Sequence, residues 1–281
     1  MKQMTGLLFV ITFLWGSTFI FSKILLPHFS PAFILFVRFS LSALLFYFFY
    51  RRKFVWNKKA VTAGLFIGLA NGSAMFLQLI GLQYTTATNS GFMTSVYILF
   101  VPLLEYLGWK KKINRTLPVS LVLSLAGIYL LSTGGVLIHL NKGDIITVFC
   151  GMIFALQIFL ISHYGRFHDT FTLVFLQFAV TSVMGLGALL FSGGIVRGED
   201  FLRWDVLGAL VFLTLFGTFI PFAMQFFIQK RISPTVAGMI YLSEPLFATL
   251  LAFLILGESL LPFQWAGIFF LLGGIFLSAK R

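Results

Sequence analysis

Apolar runs of about 20 residues recur along this chain, and only short connections separate them. A helix needs about 20 mostly apolar residues to cross the hydrocarbon core of a membrane, so each run predicts a transmembrane helix. The ten predicted spans are 4–25, 31–50, 61–83, 86–108, 116–134, 143–162, 170–192, 205–228, 232–256 and 262–279. Hydrophobic residues make up 59% of the chain and charged residues only 10%. The predicted fold class is therefore an all-α membrane protein with ten transmembrane helices.

The basic residues are distributed unevenly between the two sides of such a topology. Clusters at 51–59 and 110–115 lie on the same side as both termini. The opposite side holds Lys23, Lys142, Arg197 and Arg203. Because short cytoplasmic connections are rich in Lys and Arg, we expect both termini in the cytoplasm. The same anchoring clusters explain the net charge of +12, so no nucleic-acid partner is expected. The first run lacks a small-x-small cleavage site and is expected to remain as a span.

The two halves of the chain resemble each other weakly. A shift of 147 residues sets 90–107 on 237–254 and "LAGIYL" (125–130) on "LGGIFL" (272–277), and a shift of 139 sets 37–39 on 176–178. The sequence therefore predicts two repeats, 1–136 and 137–281. Each repeat holds five spans, an odd number, so the second must cross the membrane in the opposite sense to the first. Inverted repeats of this kind are a recurrent architecture of transporters, with the binding site near the midplane.

Four motifs carry a resemblance to a known family. They are "FLWGSTFIFSK" (13–23), "RFSLSALL" (38–45), "GFMTSVYILFVPLL" (91–104) and "YLSEPLFATLLAFLILGESL" (241–260). In order and spacing the chain resembles the EamA-type branch of the drug/metabolite transporter superfamily. The resemblance implies a carrier of the bacterial inner membrane, often an exporter, for amino acids, metabolites or drugs. The second half lacks the "WG" and "R" of the first two motifs, so the two halves are chemically unequal.

Glu244 is the most informative single residue, because it lies near the middle of a predicted span. An ionisable group at that depth costs at least about 2.5–3.5 kcal/mol unless it meets water, a partner or a proton. Pro245 follows and cannot donate a hydrogen bond to the Tyr241 carbonyl, which weakens the helix locally. Two roles fit this position. Glu244 lines the transport path and binds a cation or exchanges a proton, or it stays protonated and bonds a neighbouring helix.

Two further charged residues lie within predicted spans. Arg38 can snorkel, support helix packing or bind an anionic substrate, and the resemblance marks an arginine here as a common family feature. Glu105 lies near a span end, where we expect it to snorkel or to pair with the cations of 110–112.

Uncharged polar and aromatic residues at several positions predict a polar cavity between the halves. The predicted lining comprises Trp15, Ser17, Arg38, Asn71, Gln78, Asn89, Tyr97, Gln157, Gln225, Tyr241 and Glu244. Gln78 falls on Gln225 at the 147 shift, so each half is expected to contribute an amide. The alternative for any one of them is ordinary packing or a hydrogen bond between helices. Pro102 and Pro221 are expected to weaken the fourth and eighth spans.

Signatures of enzymes and cofactor sites are missing from the sequence. It has no P-loop, no HExxH motif and only one cysteine, Cys150, so neither ATP drive, a metal nor a cofactor is expected. We therefore expect a secondary transporter for a small molecule, with Glu244 as the candidate proton site. Two alternatives are a flippase for lipid-linked sugars and, from a different class, an intramembrane enzyme. The oligomeric state and the substrate are not predicted.

Overall fold

The structure is a computed structural model that describes residues 2–110, 115–135, 140–192, 198–256 and 261–279. Within these ranges every regular element is helical. The α-helices are α1 (Lys2–Leu25), α2 (Pro31–Tyr50), α3 (Lys58–Leu82), α4 (Ala87–Thr94), α5 (Tyr97–Trp109), α6 (Leu117–Thr133), α7 (Lys142–Tyr164), α8 (Thr170–Ser192), α9 (Trp204–Thr214), α10 (Ile220–Gln229), α11 (Pro234–Tyr241), α12 (Glu244–Leu256) and α13 (Pro262–Ala279). Short 3₁₀ helices cover Arg51–Lys53 and Gly198–Leu202, and a π-helix covers Leu215–Phe219. The predicted repeat boundary at 136/137 lies outside the described residues.

Polar residues that precede the apolar runs determine where several helices begin. Ser30, Asn57, Thr86 and Ser233 each accept a hydrogen bond from a backbone N–H of the first turn that follows. Asn141 does the same for α7 within a full capping box. Since the first N–H groups of a helix have no partner inside it, these side chains stabilise the helix ends.

Within the described ranges, eight helical segments are long and apolar enough to cross a membrane. They are Gly6–Leu25, Pro31–Lys53, Lys58–Leu82, Ala87–Trp109, Lys142–Tyr164, Thr170–Ser192, Trp204–Gln229 and Pro234–Leu251. Each corresponds to a predicted span, which confirms an all-α protein with membrane-spanning helices. The predicted spans at 116–134 and 262–279 also form apolar helices, but these are shorter. A count of ten spans therefore stays a prediction.

Two of the predicted spans, 86–108 and 232–256, each consist of two helices. The first is interrupted at residues 95–96, between α4 and α5, and the second at 242–243, between α11 and α12. At both places a backbone N–H bonds the carbonyl three residues earlier, as in Val96 to Met93 and Ser243 to Ile240. The hydroxyls of Ser95 and Ser243 bond backbone carbonyls one turn back and so compete with regular helix bonding.

The three prolines that lie beyond the first turns of the spans act differently. Pro245 is the second residue after the interruption at 242–243, in keeping with the predicted local weakening. Pro221 follows the π-helix, whose wider turn brings the Ile220 N–H to the Leu215 carbonyl. Pro102 lies inside α5, so the break in the fourth span does not lie at the proline. The break lies at Ser95, more than one turn before Pro102.

Two pairs of helices pack antiparallel, and in the first pair glycines let the two backbones lie close together. A Cβ at Gly127 of α6 would lie 2.4 Å from the Leu271 nitrogen, and one at Gly274 of α13 would lie 2.7 Å from the Ser120 carbonyl oxygen. Residue numbers rise along α6 as they fall along α13, so this pair is antiparallel. The pair α2 and α8 is antiparallel too, since Phe39 and Phe46 contact Phe178 and Phe171 in that order.

The ends of the bundle carry the charged contacts. His28 and Asp200 lie 2.7 Å apart and connect the loop after α1 to the 3₁₀ helix before α9. Glu105 is only 4% exposed, so of its two predicted roles snorkelling is wrong. The predicted pairing with the cations of 110–112 falls largely on residues outside the described ranges. The Glu105 carboxylate accepts hydrogen bonds from the backbone N–H and hydroxyl of Thr235, in the first turn of α11. A carboxylate is stabilised there because the N-terminus of a helix carries partial positive charge.

Candidate functional site

A cavity in the interior is lined by side chains from both halves of the sequence, and we call it the central cavity. Helices α1 to α5 contribute one side, and α7, α10, α11, α12 and the π-helix contribute the other. The lining residues are Trp15, Thr18, Arg38, Met75, Gln78, Thr94, Tyr97, Phe154, Gln157, Ile158, Gly217, Phe222, Gln225, Tyr241 and Glu244. Of the three charged residues singled out within the spans, Arg38 and Glu244 therefore line one cavity, and Glu105 does not.

The central cavity is narrow. The centres of water-sized molecules can occupy only about 40 Å³ of it. Since one water needs roughly 10–15 Å³ by this measure, the cavity has room for about three waters. A metabolite of ten or more heavy atoms requires the surrounding helices to separate.

Glu244 reaches the cavity because the helix is interrupted immediately before it. It is the first residue of α12, where the free N–H groups of the helix favour a negative charge. The interruption is bonded to α1, since the Ser243 hydroxyl lies 2.9 Å from the hydroxyl of Thr12. Among the described residues the Glu244 carboxylate has no hydrogen-bond or ion-pair partner. It is thus available to water, a proton or a ligand.

Arg38 also lines the central cavity. Its side chain is 1% exposed, so it does not snorkel to the membrane surface. The Nε–H donates to the Thr218 hydroxyl at 3.1 Å, and that hydroxyl of the π-helix donates in turn to the Leu213 carbonyl at the end of α9. No carboxylate pairs with Arg38 in the part of the chain that the structure describes. The contact with Thr218 orients the guanidinium and leaves its positive charge unneutralised.

Buried amides form a connected chain beside the cavity. Gln157 donates to Gln177 at 3.2 Å and lies 3.4 Å from the side-chain oxygen of Gln225. Gln225 donates to Gln229 at 2.9 Å, and Gln229 accepts from the Tyr241 hydroxyl at 2.9 Å. These bonds connect α7, α8, α10 and α11. Because a buried amide without partners is costly, this chain holds the four helices in one arrangement.

Aromatic rings close another part of the wall. The Trp15 ring contacts Phe222 and Tyr241, with centroids 5.2 Å and 5.3 Å away. The indole N–H of Trp15 and the hydroxyl of Tyr97 are buried, and neither has a hydrogen-bond partner among the described residues. The cavity thus offers two unused hydrogen-bonding groups beside an apolar surface, in addition to its two charges.

Three residues of the predicted lining lie away from the central cavity. The Ser17 hydroxyl bonds the Leu14 carbonyl of its own helix at 2.6 Å. Asn71 is fully buried and donates to Thr181 of α8 at 3.0 Å. Asn89 lies in the first turn of α4, where its backbone N–H bonds the capping hydroxyl of Thr86. The side chains of Ser17 and Asn71 serve local and interhelical contacts, the alternative already considered for each.

Sequence reasoning did not identify several groups at the site. Thr18 and Thr94 line the cavity, Thr218 orients Arg38, and Gln229 joins Tyr241 to the amide chain. One signal was available for Gln229. It follows Gln225 by four residues, and residues at that spacing lie on the same face of a helix.

The comparison with protein families matches the two halves of the chain separately. A sequence model of the EamA-like transporter family matches residues 4–133 and again residues 141–280. An uncharacterized transporter of Archaeoglobus fulgidus is 31% identical over 97% of this chain and 84% of its own length. A second uncharacterized transporter of that organism is 26% identical over 100% of this chain and 99% of its own length.

One solved structure, titled only as the crystal structure of a protein, matches the fold. It has a TM-score of 0.78 and 16% sequence identity, and the match covers 99% of this chain and 96% of that one. At this identity the likeness concerns the fold alone.

Proposed function

The chain belongs to the EamA-like transporter family of the drug/metabolite transporter superfamily, and from that premise we propose that it is a secondary transporter working by alternating access. In this proposal ten spans form two inverted five-helix repeats, 1–136 and 137–281, and export a small metabolite, amino acid or drug. The observation that carries the proposal is the central cavity, which holds Glu244 and Arg38, and neither has an ion-pair partner among the described residues.

Two features of the fold support the inverted repeats. The helices that correspond at the 147 and 139 shifts, α6 with α13 and α2 with α8, pack antiparallel to their counterparts. A twofold axis in the membrane plane relates equivalent helices in that manner. In addition, the interruptions at 95–96 and 242–243 are separated by the same 147 residues as the aligned motifs.

The narrow cavity suits an occluded state of the transport cycle. With room for about three waters, it admits a substrate only after the proposed repeats move apart on one side. Rocking of one repeat against the other would open each side in turn. The basic clusters at 51–59 and 110–115 support an orientation with both termini in the cytoplasm, and we place the protein in a bacterial inner membrane.

Glu244 is the proposed coupling site. A carboxylate buried in a membrane without a partner must be neutralised, either by a proton or by the cationic group of a substrate. If both compete for Glu244, release of one accompanies binding of the other, which couples export of a cation to entry of a proton. Arg38 supplies a second point of attachment for a substrate that also carries an anionic group.

The test is transport by purified protein in proteoliposomes that contain a pH-sensitive dye. Metabolite profiling of cells with and without the protein selects the candidates, and each is then added under an imposed pH gradient. We expect a substrate-dependent pH change with the native protein and its loss in Glu244→Gln. Glu105→Gln is the matched control, because it removes a buried carboxylate that does not line the cavity. Undiminished gradient-driven flux in Glu244→Gln, with unchanged pH dependence, rules out the proton role.

A further inference from the structure

An apolar groove of about 590 Å³ lies on the outer face of the bundle, between α2 and the α9 segment. Its lining includes Leu44, Tyr47 and Phe48 of α2 and Val211, Thr214 and Leu215 of the facing segment. Leu44 and Phe48 are 65% and 73% exposed. The groove runs along a helix that spans the membrane, so in the bilayer its surroundings are acyl chains. An acyl chain is the shape that fits it.

Two exposed arginines stand at one end of this groove. Arg51 and Arg52 follow α2 directly in a 3₁₀ turn, three and four residues beyond Phe48. The guanidinium of Arg51 lies 5.9 Å from the ring centroid of Tyr47, which itself lines the groove. Neither arginine has a carboxylate partner among the described residues, and the sequence contains no acidic residue before Glu105.

We propose that this groove, with its arginine pair, is a binding site for an anionic phospholipid. The lipid phosphate meets Arg51 and Arg52, and one acyl chain lies along α2 and α9. Three helical residues rise about 4.5 Å, so the phosphate and the first methylenes of the chain span the distance from the arginines to the groove. Guanidinium groups bind phosphate oxygens in a bidentate manner, which favours arginine at such a site.

The charge of the headgroup, more than the acyl chain, determines which lipid binds. Acyl chains are available at every point of the protein surface in a bilayer, so filling the groove alone gives little preference for one lipid. Each Lys or Arg near the membrane surface strengthens attraction to anionic lipid about fivefold. The arginine pair therefore predicts a preference of about 30-fold for an anionic over a zwitterionic headgroup.

The groove also adjoins the transport site. Thr214 and Leu215 line the groove, whereas Gly217 of the same π-helical segment lines the central cavity. The Ser42 hydroxyl of α2 bonds the Thr214 carbonyl at 3.2 Å behind the groove. A lipid held there supports the outer side of the wall on which Thr218 orients Arg38.

Native mass spectrometry of the full chain tests this site. The probes are phosphatidylglycerol and phosphatidylcholine with identical acyl chains, added to detergent-solubilised protein. We expect the first phosphatidylglycerol to bind about 30-fold more tightly than phosphatidylcholine. The double variant Arg51→Gln/Arg52→Gln loses that preference. Lys58→Gln/Lys59→Gln is the matched control, since it removes two exposed cations at the start of α3 and leaves the arginine pair intact.

A groove variant distinguishes a complete lipid site from simple headgroup attraction. Leu44→Trp places a bulky ring in the groove beside Tyr47 and Phe48 and is expected to weaken phosphatidylglycerol binding although both arginines remain. Unchanged binding in this variant, or in the arginine double variant, overturns the proposal. So does an equal effect of the lysine control. A dimer without retained lipid would mean that a second copy covers the groove, and it also overturns the proposal.

Discussion

Gly16 of α1 provides a test of the packing that positions Glu244. A Cβ at this residue would lie 2.7 Å from the Glu244 carbonyl oxygen and 3.0 Å from the Ala248 nitrogen. Ordinary van der Waals contact begins at 3.4 Å, so alanine forces α1 and α12 apart by about 0.7 Å. Both contacting atoms belong to the backbone and have no rotamer by which to move away.

The expected cost of Gly16→Ala follows from this overlap. Overpacking of a close-packed interface costs about 1–3 kcal/mol. At about 3 °C per kcal/mol, the midpoint of thermal unfolding in detergent falls by roughly 3–9 °C. Because Trp15 and Glu244 lie on the two helices that separate, transport is expected to decline as well.

Gly208→Ala is the matched control for this experiment. Gly208 lies in α9, and a Cβ there would meet nothing within 4 Å. Alanine at that position is expected to stabilise the protein by about 0.5–1 kcal/mol, since it removes backbone freedom from the unfolded chain. If Gly16→Ala unfolds at or above the midpoint of Gly208→Ala, α1 does not contact the start of α12 as described.

Two further predictions concern the cavity wall. Gln229→Leu deprives the Tyr241 hydroxyl and its other buried partners of hydrogen bonds, and we expect a loss of about 2–3 kcal/mol in the free energy of unfolding. Gln83→Leu, at an exposed glutamine, should change the free energy of unfolding by less than about 0.5 kcal/mol. A similar loss of stability in both variants would contradict a stabilising role of the amide chain. Arg38→Gln is expected to raise KM for transport at least about tenfold, whereas Asn71→Ala should lower thermal stability and leave KM unchanged. An equal change of KM in both would contradict a substrate role specific to Arg38.

The sequence is informative about spans because the bilayer imposes a length on every apolar run. It does not locate the interruptions, since at each of them a serine hydroxyl bonds a backbone carbonyl one turn back, and the Ser243 hydroxyl also lies 2.9 Å from that of Thr12. Ser95 and Ser243 have no sequence feature that separates them from Ser17, which bonds its own helix without interrupting it. Proline was a partial guide: it lies next to one interruption, and Pro102 lies inside a regular helix.

The cavity residues show that the sequence predicts the face of a helix on which a residue lies but not its depth along the helix. Helical periodicity indicates which face of a helix a residue occupies. Ser17 lies about 200° around α1 from Trp15, so the two residues occupy opposite faces of that helix. Periodicity does not indicate depth. Asn71 and Gln78 are seven residues apart, so they share one face of α3, yet only Gln78 reaches the cavity. Asn71 lies about 10 Å along the axis, opposite Thr181. That depth depends on how the helices cross, which a single sequence does not contain.

The two charges of the cavity come from different proposed repeats, and this has a consequence for the transport cycle. Arg38 belongs to the first repeat and Glu244 to the second. A substrate or proton that neutralises one charge acts within one repeat, whereas a molecule that carries both an anionic and a cationic group connects the two. Because alternating access moves the repeats relative to each other, such a molecule would stabilise the state in which Arg38 and Glu244 are nearest. The amide chain joins only helices of the second repeat, which is expected to move as the more rigid body. The first repeat, without a counterpart to that chain among the described residues, is then the part whose helices adjust around the substrate.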